Sequence, residues 1–235
     1  MIAIVTPMGG LLALFDIDGT LTRRAGPAHR DALVAAVREV LGVETRNDNI
    51  AVHGKLDPDI LMEMMRNAGV DARRARAALP RIYRAAERYY VSQAGDLRGK
   101  TCPGIPSLLQ WLERRGAMIG LVTGNLTIIG WKKLERAGLD LYFRFGAFGE
   151  MAPTRIELVR MAVRHAASRG WSHGAGRGVL IGDTPTDVEA GRASGLHTIA
   201  VATGLCSLQE LRDCGATLCA PDLAHASVRK LLQSP

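Results

Sequence analysis

The chain has 235 residues, which is longer than one average domain and too short for two large ones, so we expect about one and a half hydrophobic cores. The residues AVILMFWYC make up 47% of the chain and charged residues 23%, a composition that excludes a disordered, fibrous or coiled-coil protein. The net charge is +7, but the basic residues are scattered singly or in pairs. We therefore expect no nucleic-acid partner.

The hydropathy pattern and the cysteine pattern both indicate a cytoplasmic protein. No run approaches the roughly 18 apolar residues of a membrane span, and residues 1–14 lack a basic leader and a cleavage site. The four cysteines form no C-x-x-C pair, have no zinc-spaced histidine and are too few for a disulfide scaffold. We expect free thiols, no membrane partner, and a monomer or homodimer.

The first half of the chain predicts one buried strand and then a helical module. Residues 11–15 form an apolar run without helical spacing, which predicts a strand buried on both faces and ending at Asp16. Residues 23–99 then show helical periodicity and no convincing strand. The helices expected there are 28–41, 57–69 with Asp57 as N-cap and Pro58 in the first turn, and two pieces, 71–79 and 81–94, separated by Pro80.

From Cys102 onward, short apolar strands alternate with helices. This alternation predicts an α/β fold with a parallel sheet. Two S/T-x-x-E capping boxes, Thr154 to Glu157 and Ser207 to Glu210, mark helix starts. The strands expected are 118–122, 178–181 and 197–201, and the helices include 106–115 and 126–137.

Two carboxylates, Asp16 and Asp18, leave the end of the first predicted strand, where open parallel sheets place their ligand crevice. Being two residues apart, they point the same way if the extended geometry persists. Like charges held so close raise each other's pKa unless a cation intervenes. The alternative is that Asp-x-Asp-Gly only forms a turn. An EF-hand is excluded because the loop lacks the third oxygen ligand and the closing Glu.

A second pair, Asp183 and Asp187, follows the strand at 178–181. Strand ends meet at one edge of a parallel sheet, so all four acids can converge although more than 160 residues separate the pairs. Such a group requires a divalent cation, and Mg²⁺ prefers carboxylate oxygens.

A third motif, Thr123-Gly124-Asn125, follows the strand at 118–122. It offers a hydroxyl, a glycine that permits close backbone approach, and a carboxamide, which are phosphate-binding groups. The alternative is an ordinary strand-to-helix turn with Asn125 as N-cap.

These motifs together resemble the haloacid dehalogenase superfamily, in its phosphoglycolate-phosphatase-like branch. The segment from Asp16 to Leu21 matches the first signature, Thr123-Gly124-Asn125 the second, and Gly182 to Asp187 the fourth, in that order. The resemblance implies a Rossmann-like parallel sheet with helices on both faces and an inserted helical (C1-type) cap. The domains it implies are a core of residues 1–22 and 100–235 and a cap of residues 23–99.

The resemblance also implies roles for the motif residues. Asp16 would be the nucleophile that becomes an aspartyl-phosphate. Asp18 would protonate the leaving oxygen and later activate water. Thr123, Gly124 and Asn125 would hold the phosphoryl oxygens. The Mg²⁺ ligands would be Asp16, Asp18 through its carbonyl, Asp183, and Asp187 as an outer or alternate ligand.

The third signature of the family is a lysine, and here the sequence departs from the common pattern because residues 151–177 contain none. Lys132 and Lys133 are the remaining candidates, and adjacent helical positions differ by about 100° in direction, so at most one of them faces the site. We favour Lys133, since relatives carry a lysine directly before a Leu-Glu pair. Arg155 is an alternative cation.

The segment Gly54-Lys55-Leu56-Asp57 resembles a loop of the helical cap. In relatives it often reads Gly, Lys or Arg, Thr, Asp, so Leu56 replaces the hydroxyl. Lys55 either contacts substrate or is simply exposed, and both alternatives stay open.

The function that the resemblance implies is a Mg²⁺-dependent phosphatase of a small phosphorylated metabolite, with phosphoglycolate as the first candidate. An acid at position 18 argues against carbon–halogen hydrolysis, since dehalogenases of the family lack it. A sugar phosphomutase and a non-catalytic protein that binds a metabolite or nucleic acid are the alternatives.

Overall fold

The computed structural model describes residues 10–23, 26–48, 50–172 and 177–233, and these form a six-stranded sheet. All neighbouring strands are parallel, and their order is β3-β2-β1-β4-β5-β6. This is a Rossmann-like order with its switch point between β1 and β4. The strands are β1 (Leu12–Phe15), β2 (Met118–Val122), β3 (Gly146–Ala147), β4 (Gly178–Gly182), β5 (His197–Val201) and β6 (Leu218–Ala220).

Helices cover both faces of the sheet, which confirms the predicted α/β class. The helices are α1 (Ala28–Leu41), α2 (Asp57–Asn67), α3 (Ala72–Gln93), α4 (Ser107–Arg114), α5 (Thr127–Ala137), α6 (Arg155–Ala167), α7 (Pro185–Ala193), α8 (Leu208–Asp213) and α9 (Ala226–Gln233). On β1, Ala13 and Phe15 pack with α4, α5 and α9, whereas Leu12 and Leu14 pack with α6 and α7. The strand is apolar on both faces because both are buried.

Helices α1, α2 and α3 share a hydrophobic cluster of their own. Leu126 and Ile129, at the start of α5, belong to the same cluster. The helical module therefore rests on α5, the helix that follows the Thr123-Gly124-Asn125 motif. Among the described residues, no helix combines the length and the apolar composition that a bilayer span requires.

The prediction of two helical pieces around Pro80 is wrong, because α3 runs through Pro80 without a break. Proline removes one backbone hydrogen bond, to the carbonyl four residues earlier. Pro80 and Arg76 both lie on the exposed face, so water can reach the carbonyl left without a donor. The opposite face is buried on both sides of the proline, from Ala75 to Tyr90. The packing of this buried face stabilises the helix by more than the proline destabilises it.

The prediction that Asp57 is the N-cap of its helix is also wrong. The N-cap of α2 is Leu56, which makes no side-chain cap, and Asp57 is the first helical residue. Its carboxylate turns away from α2, towards the first turn of α5. Pro58 lies in the first turn of α2, as predicted.

Candidate active site

The three sequence motifs meet at the carboxyl end of the sheet. Phe15, the last residue of β1, is level with Leu121 of β2 and Ile181 of β4. Asp16 follows directly, and its amide donates to the carbonyl of Ile181 at 2.9 Å. Because β1 lies between β2 and β4, one residue beyond each strand end brings the three motifs together at the switch point of the sheet.

Asp16, Asp183 and Asp187 form a buried carboxylate group, with ligand oxygens within 4.8 Å of one another. Burial raises the pKa of Asp16 to about 6, against the opposing effect of Arg155. Burial, and then the charges of Asp16 and Asp187, raise the pKa of Asp183 to about 8. The hydroxyl of Thr20 donates to Asp183 at 3.1 Å. The fold therefore holds the three carboxylates close together although their negative charges repel one another.

Arg155 is the cation nearest these acids. Its guanidinium lies 2.9 Å from Asp16 Oδ1 and 2.5 Å from Asp187 Oδ1. The other oxygen of Asp187 accepts from the amide and hydroxyl of Thr184, at 3.1 and 2.6 Å, and completes the capping box of α7. Asp187 therefore has partners on both oxygens and serves to fix Arg155 and α7.

The donor set fits a magnesium ion. Three buried carboxylates face one arginine charge, and burial raises the pKa of Asp16 and of Asp183 despite that charge. Hard carboxylate oxygens are the ligands that Mg²⁺ takes in proteins. The Asp18 carboxylate lies outside the group, so only its backbone carbonyl remains as the ligand that was predicted.

Asp18 faces a different cation. Lys133 Nζ donates to Asp18 Oδ2 at 2.5 Å, and Asn125 Nδ2 donates to the same oxygen at 2.8 Å. Burial raises the pKa of Asp18, but the Lys133 ammonium and these two hydrogen bonds outweigh that effect, so the pKa is lowered overall. Lys133 is 1% exposed. Lys132, by contrast, pairs with Glu135 on α5.

A histidine and an aspartate from the helical module hold Lys133 from behind. His29 Nδ1 lies 3.1 Å from Lys133 Nζ, and His29 Nε2 lies 2.9 Å from Asp57 Oδ2. A carboxylate only accepts hydrogen bonds, so Nε2 donates and Nδ1 accepts from the ammonium. The sequence analysis missed His29, because one histidine in an amphipathic helix carries no local signal.

The first turn of α5 is capped by carboxylates from three other segments. The amide of Leu126 donates to Asp57 at 2.8 Å, that of Thr127 to Glu150 at 3.0 Å, and that of Ile128 to Glu87 at 3.1 Å. These acids occupy the positive end of the helix dipole. Asn125 is therefore not an N-cap, which corrects the alternative considered for it.

The second motif lies at the floor of the site. Gly124 and Asn125 line the cavity. Thr123 is fully buried, and its hydroxyl accepts from the amide and carboxamide of Asn125, at 3.3 and 2.8 Å. Asn125 Oδ1 is buried and has no hydrogen-bond partner among the described residues. A carbonyl oxygen so placed is available to a donor on a bound molecule.

A cavity of about 680 Å³ separates the helical module from these residues. Its core side includes Asp16, Asp18 and Asp183, and its other side is lined by α1, α2 and the segment between them. Lys55 lies on the wall, where its ammonium donates to Glu63 at 2.5 Å. The segment packs closely on the core, since a Cβ at Gly124 would collide with the carbonyl of Lys55.

Replacing Arg155 with methionine is expected to destabilise the metal-free protein by about 3 kcal/mol at pH 8, because it leaves buried acids without their cation. The loss should shrink as the pH falls through about 8 and about 6, where Asp183 and Asp16 take up protons and the repulsion ends. Urea unfolding in EDTA at pH 8 and pH 5.5 measures both effects.

Arg160→Met is the matched control, because Arg160 is exposed on the same helix. It should change the free energy of unfolding by less than about 0.5 kcal/mol at either pH. An Arg155→Met loss that is equal at both pH values would contradict the electrostatic account.

Comparison with known proteins gives consistent matches. A family model described as haloacid dehalogenase-like hydrolase matches residues 12–195. A 5'-nucleotidase of Pseudomonas aeruginosa is 30% identical, over 94% of this chain and 95% of that protein. A phosphoglycolate phosphatase of Caulobacter vibrioides is 26% identical, over 84% of this chain and 81% of that protein. The crystal structure of a predicted phosphatase from Clostridium acetobutylicum aligns with a TM-score of 0.69 at 21% identity, covering 97% of this chain and all of the other.

Proposed function

The chain belongs to the haloacid dehalogenase-like hydrolase family and is a phosphatase, and we propose that it hydrolyses a small phosphorylated metabolite through an aspartyl-phosphate at Asp16, with Mg²⁺ bound. Phosphoglycolate and 5'-nucleotides, after which these relatives are named, are both phosphomonoesters. The observation that carries the proposal is the buried carboxylate group at the switch point, with Asp16 facing the cavity.

In this proposal Asp16 attacks the phosphorus atom. A bond forms between an Asp16 oxygen and phosphorus, and the bond from phosphorus to the ester oxygen breaks. Asp16, Asp183 and the Asp18 carbonyl would hold Mg²⁺, with Asp187 as an outer ligand, and the bound ion would offset the negative charge of acids and phosphate. Arg155 neutralises the opposite side of Asp16.

Asp18 is proposed as the general acid and general base of the reaction. Its carboxylate is held ionised by Lys133, so the resting geometry supports the base role, in which Asp18 takes a proton from the water that attacks the aspartyl-phosphate. In the first step Asp18 gives the leaving oxygen a proton, which it has taken up beforehand from the attacking water of the previous turnover or, in the first turnover, from solvent; Asp18 is then ionised again before the next water attacks. We assign to Lys133 the orientation of Asp18. Of the three residues expected at the phosphoryl oxygens, the Thr123 hydroxyl and the Gly124 amide would donate to them, and Asn125 would position both Thr123 and Asp18, since its Nδ2 already donates to these two residues.

We also propose that residues 23–99 act as a cap over a core of residues 1–22 and 100–235. The support is the separate hydrophobic cluster of α1 to α3 and the cavity that they cover. Such a cap excludes water from the reacting phosphate. The four cysteines are free, which suits a cytoplasmic location.

The direct test is phosphate release from p-nitrophenyl phosphate. The purified protein with Mg²⁺ should hydrolyse p-nitrophenyl phosphate. EDTA should lower the rate by about 100-fold or more, because it removes the cation that would offset the negative charge of the acids and the phosphate. Excess Mg²⁺ should restore it. An unchanged rate in EDTA would contradict the metal assignment. With a sugar phosphate, free phosphate without an isomer excludes the phosphomutase alternative.

A further inference from the structure

The loop after β5 reaches the buried carboxylate group. β5 runs parallel to β4 with Ala200 level with Gly182, so the chain beyond Val201 passes the sheet edge beside Asp183. Residues 202–206 form this loop and belong to none of the motifs that the sequence pattern singles out. The proposed function gives the loop no role.

Gly204 of this loop lies against the Asp183 carboxylate. A Cβ placed on Gly204 would overlap Oδ2 of Asp183, and the three atoms nearest to that Cβ all belong to the Asp183 side chain. Gly204 is not among the glycines with a positive φ, so its backbone would accept an alanine. The close approach of Asp183, and not the backbone conformation, is therefore what requires a glycine here.

The turn after β1 contacts the same carboxylate. A Cβ on Gly19 would also overlap Asp183 Oδ2, and the Thr20 hydroxyl donates to Asp183 Oδ1 at 3.1 Å. Asp183 is 2% exposed. The orientation of its carboxylate therefore depends on two segments of the chain, the turn after β1 and the loop after β5.

Thr203 connects these two segments by a hydrogen bond. Its hydroxyl donates to the carbonyl of Gly19 at 2.5 Å. Gly19 directly follows Asp18, whose own carbonyl is a proposed magnesium ligand. The hydrogen bond therefore holds the loop after β5 against the turn that would supply the other ligands of the ion.

We propose that the loop after β5 positions Asp183 for Mg²⁺, with Gly204 setting the orientation of the carboxylate and the Thr203 hydroxyl holding the loop against Gly19. Both are positioning residues, because they act through Asp183. This assignment rests on the proposed function, in which Asp183 binds the metal ion. Replacing a residue that orients a metal ligand typically lowers metal affinity by about 10-fold to 100-fold.

The first experiment measures the dissociation constant of Mg²⁺ for the whole chain by titration calorimetry. Gly204→Ala should raise this constant by about 10-fold or more, because the new Cβ displaces the Asp183 carboxylate. The displaced atoms are the end of a side chain, so the fold should survive, and cooperative urea unfolding in EDTA checks this. The Mg²⁺ concentration that gives half the maximal rate with p-nitrophenyl phosphate should rise in the same proportion.

Gly95→Ala is the matched control. Gly95 also lacks a positive φ, and apart from its chain neighbours no atom of the described residues lies within 4 Å of a Cβ placed there. It should leave the dissociation constant within about two-fold of the parent value. A Gly204→Ala constant that is also within about two-fold overturns the positioning role. A parent protein that binds no Mg²⁺ overturns the metal assignment of the proposed function itself.

The second experiment replaces Thr203 and adds no volume near Asp183, so it decides the matter even if Gly204→Ala does not fold. Thr203→Val removes the hydroxyl and should raise the Mg²⁺ dissociation constant by about 3-fold to 10-fold, as expected for one lost hydrogen bond. Thr203→Ser keeps the hydroxyl and should stay within about two-fold of the parent constant. Equal Mg²⁺ affinities of the valine and serine variants would overturn the role of the hydroxyl.

Discussion

Replacing Asp16 with asparagine is expected to lower kcat by at least about 10³-fold, because a carboxamide cannot take the place of the attacking carboxylate oxygen. The fold should survive. Since burial raises the pKa of Asp16 to about 6, its charge destabilises the metal-free protein above that pH, and the neutral variant should be at least as stable at pH 8. Steady-state phosphate release and urea unfolding measure the two properties.

Asp213→Asn serves as the control, because it makes the same change at an exposed residue near the end of α8. It should leave kcat within about two-fold of the parent. If Asp16→Asn and Asp213→Asn turn over at similar rates, Asp16 is not the nucleophile.

Replacing Asp18 with asparagine is expected to lower kcat by about 10²-fold to 10⁴-fold, the range for loss of a general acid or base. The side chain retains its size and one acceptor oxygen for Lys133, so KM should change by less than about three-fold. Initial rates across substrate concentrations separate the two constants. The distinguishing result is a loss in kcat at nearly constant KM.

The opposite pattern would defeat the assignment of Asp18. A raised KM with kcat intact would make Asp18 a binding residue. Lys133→Met provides a second check, because it removes the ammonium that lies 2.5 Å from Asp18 Oδ2. It should also act on kcat, since it leaves the Asp18 carboxylate without its orienting partner.

The layout of the sheet and of the acids at its edge was predictable because the signals for both are local. A strand such as β1, buried on both faces, appears as an unbroken apolar run, and an acid directly after it lies at the edge of a parallel sheet. Asp16, Thr123 and Asp183 each follow such a strand. Their convergence follows from the geometry of parallel strands, so sequence reasoning reached it without contact information.

The short edge strands were not predictable. β3 has only two residues, and β6 has three. Segments of that length carry no periodicity, and they become strands because a neighbouring strand offers unpaired backbone groups. The continuous helix through Pro80 likewise depends on what packs against its buried face.

The contacts between the helical module and the sheet could not be predicted from local sequence patterns either. Asp57 looked like the N-cap of its own helix, and only the position of α5 shows that it caps Leu126 instead. The positions of the cations also depend on contacts between distant segments. The sequence favoured Lys133 over Lys132 and kept Arg155 as an alternative, and in the structure Lys133 lies at Asp18 and Arg155 at Asp16.

A crystal structure of the protein with Mg²⁺ and beryllium fluoride tests the central assignment most directly, since beryllium fluoride mimics a phosphoryl group on a carboxylate. The account predicts beryllium bonded to an Asp16 oxygen, with Mg²⁺ bound by Asp16, the Asp18 carbonyl and Asp183. Beryllium fluoride on another residue, or an Asp16 that keeps only its Arg155 contact beside an empty metal position, would contradict it.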